Sequence, residues 1–409
     1  MDLQLERYSF VKKSNYYKVL RDIVLPFCFK FVSKVFRSKV DENLIIMGAY
    51  SGNSYMDNTK YLFEFLNKRS NYNVVWFTKS RGLLVELRNK GYNVVYALSL
   101  DAVKLLRKAR FIFLTHGVYD VLPIDFSPKT EIIMTWHGTV IKDITEDFDA
   151  TYSYKRWVRI LKLKSYPNQY INYVLTPAKE KYEHEILTTA FKVSSDKILD
   201  LGYPRNDILL KFNNNLEFKQ KLREKYGIPD NIKRVILYAP TFRDAGSLRF
   251  PFTNKDLENL NMILEGMDSL FLFKGHAYEK KINFGELKYI NLVRKPSDIQ
   301  ELLIISDLLI SDYSSVIFDF LLTMKPIILF PYDLDIYTKG RGLHYDLRDI
   351  APGPIVFEVE KLIEAIRNVE KLDSEYRAIR EKVRDRFNKY HDGKSIERLL
   401  NFLNIAYEL

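Results

Sequence analysis

The sequence predicts an α/β protein: two Rossmann-like, doubly wound domains facing a cleft, preceded by an amphipathic helical arm. Three observations predict it. Short apolar runs alternate with helical stretches, the pattern that parallel sheets flanked by helices produce. The alternation runs twice, with a polar passage at Asn213-Asn214-Asn215 between the two courses. At 409 residues the chain exceeds one ordinary core and suits two such domains plus an appendage. The expected divisions are an arm over residues 1–40, an N-terminal domain over 41–212, a C-terminal domain over 213–390 and a closing helix over 391–409.

The arm is basic and apolar. Between Tyr16 and Arg37, the residues Lys18, Arg21, Asp22, Lys30, Lys34 and Arg37 fall close to one helical face. Leu20, Ile23, Val24, Phe27, Phe31, Val35 and Phe36 cover the rest, and Pro26 is expected to kink or divide the helix. Two readings stand. The arm lies on a membrane, with aromatics immersed and Lys/Arg at lipid phosphates, or it packs on the body or on a second subunit.

From Asn43 the pattern turns to strand, loop and helix. Leu44-Ile45-Ile46-Met47-Gly48 is an apolar run ending in glycine, and residues 58–67 read as the helix that follows. Further buried strands are expected at 73–78, 93–97, 111–115, 131–136 and 173–176, with the half closing near Gly202-Tyr203-Pro204. A charged helix then leads to Gly227-Ile228-Pro229-Asp230. The second course places strands at 234–238, 269–274, 290–292, 308–311 and 326–330, and the last helices from residue 358 onward. In such sheets a ligand is expected beyond the strand C-terminal ends.

Composition narrows the partner. The formal net charge of +11 favours something anionic: nucleic acid, anionic lipid or a phosphorylated substrate. Cys28 is the single cysteine, so no intrachain disulfide forms and a reducing setting is the simplest fit. No apolar run reaches the roughly 18–20 residues of a membrane span, and no secretory leader is legible. The chain is therefore expected to lie on a membrane without crossing it. Walker, GxGxxG, HExxH and CxxC patterns are absent. Asp-x-Asp occurs at Asp147-Phe148-Asp149 and Asp333-Leu334-Asp335; the latter follows a strand, and a ribose or metal ligand and a plain loop turn stand as alternatives there.

Several strand ends carry chemistry. Leu308-Leu309-Ile310-Ser311 ends in the hydroxyl-rich turn Asp312-Tyr313-Ser314-Ser315, with a helix expected from Val316. A helix start offers unpaired amides to an anion, and Ser314 and Ser315 add hydroxyls or simply cap the helix. Ala239-Pro240-Thr241-Phe242-Arg243 and Lys274-Gly275-His276 each place a cation beyond a strand, Arg243 as a fork and Lys274 as a point charge for a diphosphate. In the first half, Thr135-Trp136-His137-Gly138-Thr139 puts His137 at a strand tip, where histidine is a natural base near neutral pH. His116-Gly117 ends the preceding strand similarly and competes for that role. His184, between Glu183 and Glu185, reads as a surface residue, and His391 as part of a helix break.

Together these residues resemble the CDP-glycerol glycerophosphotransferase family, the enzymes that prime or polymerise teichoic acids. The resemblance runs through Trp136-His137-Gly138, Gly202-Tyr203-Pro204-Arg205-Asn206-Asp207, Tyr238-Ala239-Pro240-Thr241-Phe242-Arg243 and Lys274-Gly275-His276. It continues through Ser306 to Ser315, Phe318-Asp319, Arg341-Gly342, Pro352-Gly353-Pro354 and Asp392-Gly393, in the family's order. It implies a GT-B architecture in which the C-terminal domain holds the CDP-alcohol and the N-terminal domain the acceptor. His137 and His276 are the implied catalytic pair. Arg205, Asn206, Thr241, Arg243, Lys274, Ser311, Asp312, Ser314, Ser315, Asp319 and Arg341 form the implied substrate-binding set. Ala277 stands where the family often has proline. The compact chain looks more like a primase or short transferase than a long polymerase.

The expected activity is transfer of glycerol phosphate from CDP-glycerol to a polyprenyl-linked or glycopolymer acceptor hydroxyl, with release of CMP, in teichoic acid or related cell-envelope synthesis. No tightly bound cofactor is expected, with Mg²⁺ at most a diphosphate counter-ion. Nucleic acid is not the expected partner; the anionic membrane surface is, which places the enzyme peripherally on the cytoplasmic face. The basic run Lys155-Arg156-Trp157-Val158-Arg159-Ile160-Leu161-Lys162-Leu163-Lys164 is a second interfacial contact, an acceptor-binding helix or a solvated face. Ribitol and other polyols stand open beside glycerol. The rivals are a GT-B glycosyltransferase using a nucleotide sugar and a non-catalytic binder of anionic polymers.

Overall fold

The computed structural model describes residues 25–36, 38–144, 170–241, 250–275, 287–294 and 297–408. The arm's first 24 residues, the basic run at 155–164, the Asp147/Asp149 pair, Arg243, His276 and Ala277 lie outside the described residues.

Strands β1 (Asp41–Met47), β2 (Asn73–Thr78), β3 (Val94–Tyr96), β4 (Ala109–Leu114), β5 (Glu131–Met134), β6 (Tyr173–Leu175) and β7 (Ile198–Leu199) form one sheet in the order β3-β2-β1-β4-β5-β6-β7. Strands β8 (Arg234–Tyr238), β9 (Ser269–Phe273), β10 (Ile290–Leu292), β11 (Leu308–Ser311) and β12 (Ile327–Leu329) form the other, ordered β10-β9-β8-β11-β12. Every neighbouring pair is parallel. A parallel strand covered by helices on both faces needs a continuous apolar run and not an alternating one. Leu44, Ile45, Ile46 and Met47 of β1 are all buried for that reason, as are all five residues of β9.

The helices bury one stripe each. Asp57–Arg69 buries Asn58, Thr59, Leu62, Phe63 and Leu66, the three-and-four spacing of an amphipathic helix. Asn254–Gly266 buries Leu257, Leu260 and Leu264 and begins in a capping box between Thr253 and Asp256.

In each half the chain starts mid-sheet, winds to one edge, then crosses back to continue on the other side. The reversal opens a crevice between β1 and β4, and another between β8 and β11, at the strand C-terminal ends. The candidate residues His137, Thr241, Ser311 and Asp312 stand at these two places.

The chain passes from one half to the other between the helices Asp207–Phe212 and Leu216–Lys225, the second capped by Asn215. It then returns. The helix Ser395–Phe402 docks on the first half, its first amides (Ser395 and Ile396) donating to the Asp207 carboxylate at 2.9 Å each. Arg398 reaches the Leu201 carbonyl at 3.0 Å, and Tyr407 packs edge-on to Phe65.

At the other end, the helix Leu25–Ser33 packs against Leu100–Lys108, with Arg107 Nε donating to the Phe36 carbonyl at 3.0 Å. Ser33 is buried there, while Phe31 and Val35 remain 70% and 74% exposed. Among the described residues no helix is long and apolar enough to cross a membrane.

Candidate active site

Strand β5 ends at Met134, and the next residues make an uncommon turn. Trp136 has φ of +57° and Gly138 +148°, so a bulky residue occupies the left-handed region immediately before His137. Two side chains hold it there. Asn58, fully buried on the helix Asp57–Arg69, donates Nδ2 to the carbonyls of Thr135 and Trp136, both at 3.0 Å. Arg205 donates Nη1 to the His137 carbonyl at 2.8 Å and to Asp57 Oδ1 at 2.8 Å. Its own backbone amide donates to Asn58 Oδ1 at 3.1 Å, so the two clamps are joined.

The His137 ring is fixed as well. Its Nδ1 lies 3.2 Å from the Thr115 carbonyl, an oxygen that only accepts. Nδ1 therefore carries the proton in the neutral ring, and Nε2 keeps its lone pair. His116 stacks on this ring with centroids 4.1 Å apart and planes within 3°, and Tyr50 packs on His116 at 4.2 Å. Beneath them the buried Asp120 carboxylate accepts from the amides of Ser51, Thr115 and His116 at 2.6, 2.7 and 2.8 Å. Those bonds tie the loop after β1 to the loop after β4 at the first crevice.

Burial is the main cause of the shifted titrations here. It pushes His116 down to about 4, helped by the Arg205 charge. It holds His137 well below 6.5, helped by His116 and opposed by Asp57. Burial raises the Asp120 carboxyl while the amides around it pull the other way. At neutral pH both imidazoles are uncharged, the state a proton acceptor needs.

The second crevice is built by Ser311 and Asp312. Ser311 Oγ donates to the Ala239 carbonyl at 2.8 Å, and Asp312 Oδ1 accepts from the amides of Thr241 at 2.8 Å and Tyr313 at 2.6 Å. These buried groups join the loops after β8 and β11. Lys274 Nζ lies 2.9 Å from Ser297 Oγ, and Ser314 Oγ accepts from the Val316 amide at 3.4 Å. Ser315 is half-buried and makes no side-chain cap on the helix Val316–Phe320. Its backbone is already helical (φ −60°, ψ −15°), whereas a capping hydroxyl needs the extended region. Arg341 ends the helix Leu334–Arg341.

The two halves meet at the site. A Cβ on Gly138 would stand 2.2 Å from Ser315 Oγ and 3.3 Å from Arg205 Nη2. Arg205 Nη2 pairs with Asp319 Oδ2 at 2.8 Å, Asn206 Nδ2 donates to Asp319 Oδ1 at 3.0 Å, and Gln300 Nε2 donates to Asn206 Oδ1 at 2.9 Å. Arg205, Asn206 and Asp319, expected among the substrate-binding residues, thus form a buried bridge with Asp57 and Gln300. Lys60 of the first half pairs with Asp298 of the second at 2.6 Å. His344 donates its amide to the Ile141 carbonyl at 2.8 Å, extending the bridge along 141–144.

Sequence reasoning brought His137, Arg205, Asn206, Thr241, Lys274, Ser311, Asp312, Ser314, Ser315 and Asp319 to these two crevices and the seam between them. It missed Asp57, Asn58 and Gln300, whose partners lie far away in the chain, and Asp120, which joins the nearby Thr115 and His116 to the distant Ser51. It also missed Glu183, a fully buried carboxylate that accepts from Thr176 Oγ1 at 2.7 Å. Its neighbour His184, read as a surface residue, is half-buried with Nε2 3.1 Å from the Ala178 carbonyl. Among the described residues no cluster of three His, Cys, Asp or Glu is arranged to hold a metal ion.

Comparison with known proteins supplies the lineage. Residues 29–404 match the family model of CDP-Glycerol:Poly(glycerophosphate) glycerophosphotransferase. The chain is 31% identical over 383 residues to the teichoic acid glycerol-phosphate transferase of Staphylococcus aureus (strain NCTC 8325 / PS 47), covering 91% of this chain and 94% of that one. It superposes on the wall teichoic acid polymerase TagF with a TM-score of 0.78 at 27% identity, covering 97% of each chain. A variant of that polymerase soaked with CDPG gives a TM-score of 0.79 at 26% identity, over 96% of this chain and 97% of that one. The chain belongs to the CDP-glycerol:poly(glycerophosphate) glycerophosphotransferase family.

Proposed function

We infer that this enzyme transfers glycerol phosphate from CDP-glycerol to a hydroxyl of a teichoic acid acceptor and releases CMP. The observation that carries the chemistry is the neutral His137 ring, locked with Nδ1 on the Thr115 carbonyl and Nε2 available. In the proposed step, Nε2 takes the proton from the acceptor hydroxyl. That oxygen forms a bond to the glycerol-bearing phosphorus, and the bond from this phosphorus to the CMP oxygen breaks, the electron pair leaving with CMP. A phosphate monoester has a second pKa of about 6, so CMP departs without a strong acid.

A GT-B closure about the two crevices is the proposed frame, with the donor against the second half. Lys274, Thr241, Ser314 and Ser315, together with Arg243, His276 and Arg341, are proposed to face its diphosphate and stabilise the transition-state charge. Mg²⁺ enters only as a counter-ion to that diphosphate. The acceptor is proposed to be lipid-linked and the enzyme to sit peripherally on the inner membrane face. Exposed Phe31 on the docked helix, with Lys34 and exposed Val35 in the turn after it, supports that reading.

The test is CMP release from CDP-glycerol with a lipid-linked acceptor analogue, with product mass measured. Acceptor-dependent release that His137→Ala reduces at least about a hundredfold is expected. Undiminished release by His137→Ala removes the base. A product without added phosphate means glycosyl transfer, and turnover with CDP-ribitol alone changes the polyol.

A further inference from the structure

We propose that His116 is a positioning residue for His137: its ring is the plate that keeps the His137 imidazole oriented, dry and uncharged for proton abstraction. The proposal rests on the reading of His137 as the base. The proposed proton transfer gives His116 no part, yet its ring lies parallel to that of His137 at 4.1 Å.

A single residue sets both rings. Thr115 holds His137 Nδ1 through its backbone carbonyl at 3.2 Å, and His116 Nδ1 through its side-chain oxygen at 2.8 Å. The Nδ1 edges of both rings therefore face Thr115, and both Nε2 atoms point away from it. Thr115 is itself fixed on every side. Its hydroxyl lies 3.2 Å from Asp120 Oδ2 and accepts from the Tyr50 amide at 3.3 Å, while its own amide reaches Asp120 at 2.7 Å. With the hydroxyl proton directed to Asp120, His116 Nδ1 is left to donate. Tyr50 closes the outer side of His116 and Trp136 packs on His137 at 3.9 Å. Rotation of His137 is thus blocked on two sides, and His116 supplies one of them.

The charged and titratable groups facing the pair are Asp57 from its helix, Asp120 from the loop after β4, Tyr50 from the loop after β1, and Arg205, itself tied to Asp319. Removing the His116 ring admits water to the face of His137, and hydration returns an imidazole toward its ordinary pKa. Burial is the main cause holding His137 low, which fits that direction.

The test uses the full chain with His116→Ala and His116→Phe. His137 is titrated by its ring proton resonances, and kcat/KM is measured against pH with CDP-glycerol and the acceptor analogue. His116→Ala is expected to raise the His137 midpoint by about one pH unit or more and to carry the acid limb of kcat/KM upward with it. At neutral pH its kcat is expected to fall about tenfold or more, with KM for CDP-glycerol little changed. His116→Phe keeps a flat ring and should leave the midpoint and most of kcat in place. An unmoved His137 midpoint in His116→Ala overturns the proposal, as does a His116→Phe enzyme whose midpoint and kcat move as far as those of His116→Ala. If His137→Ala itself turns over normally, the base reading fails, and the resonance titration still decides whether His116 holds the ring.

Discussion

A carboxyl taken out of water holds its proton longer, and Glu183 shows what that does to folding. Burial, helped by the Glu180 charge, pushes it up to about 7 from its ordinary 4.5, against the Thr176 hydroxyl and the Val140 amide. The folded state therefore binds the proton more tightly than the unfolded chain. The stabilisation this gives is fully present below pH 4.5 and is lost as pH rises through about 7. The gap corresponds to about 3 kcal/mol at its limit. Glu183→Gln keeps an acceptor for Thr176 and cannot ionise. Its urea unfolding free energy should match wild type within about 1 kcal/mol at pH 5 and exceed it by about 1–3 kcal/mol at pH 8. An equal difference at both values would assign the effect to packing and not to the proton.

At the scale of elements, strands were legible because a covered parallel strand is a plain apolar run. The runs at 269–274 and 93–97 predicted β9 (Ser269–Phe273) and β3 (Val94–Tyr96), whereas the helix at 57–69 starts after Met56 with no capping side chain to mark it. The turn carrying His137 was legible only as a strand tip. Its geometry depends on Asn58, 78 residues from Trp136, and on Arg205, 147 residues from Asn58, and no local spacing reports such pairings. Asn58→Asp loses the amide donors to Thr135 and Trp136 and puts a charge against two carbonyls. It should lower kcat about tenfold or more while donor KM stays within about threefold. The Gly138 turn gives a second check. Gly138→Ala meets Ser315 Oγ at 2.2 Å and Ser315 Cβ at 2.6 Å, so it should melt several degrees lower, with part of the loss recovered by Ser315→Gly. Full recovery would mean that the positive φ costs nothing.

Across the whole molecule, the seam between the halves is held by charges removed from water. Lys60 and Asp298 are 15% and 12% exposed in their side chains, and Arg205 and Asp319 are 6% and 4%. Breaking such a pair strands the partner, which typically costs about 3–5 kcal/mol. Lys60→Met should show a loss of that order in urea unfolding; a loss below about 1 kcal/mol would make the pair a surface contact in energetic terms. Neither pairing was readable beforehand, since Lys60 and Asp298 stand 238 residues apart. The route of the chain carries one more consequence. Because the helix at 395–402 comes home to Asp207, the second half is by connectivity a module spliced into the first between residues 213 and 388. A fragment cut at 212 would leave the Asp207 carboxylate facing empty space, without the amides that now neutralise its burial. The separable unit is instead the inner segment: excised, with its two flanks sewn together by a short loop, it should leave behind a first half that still owns its closing helix.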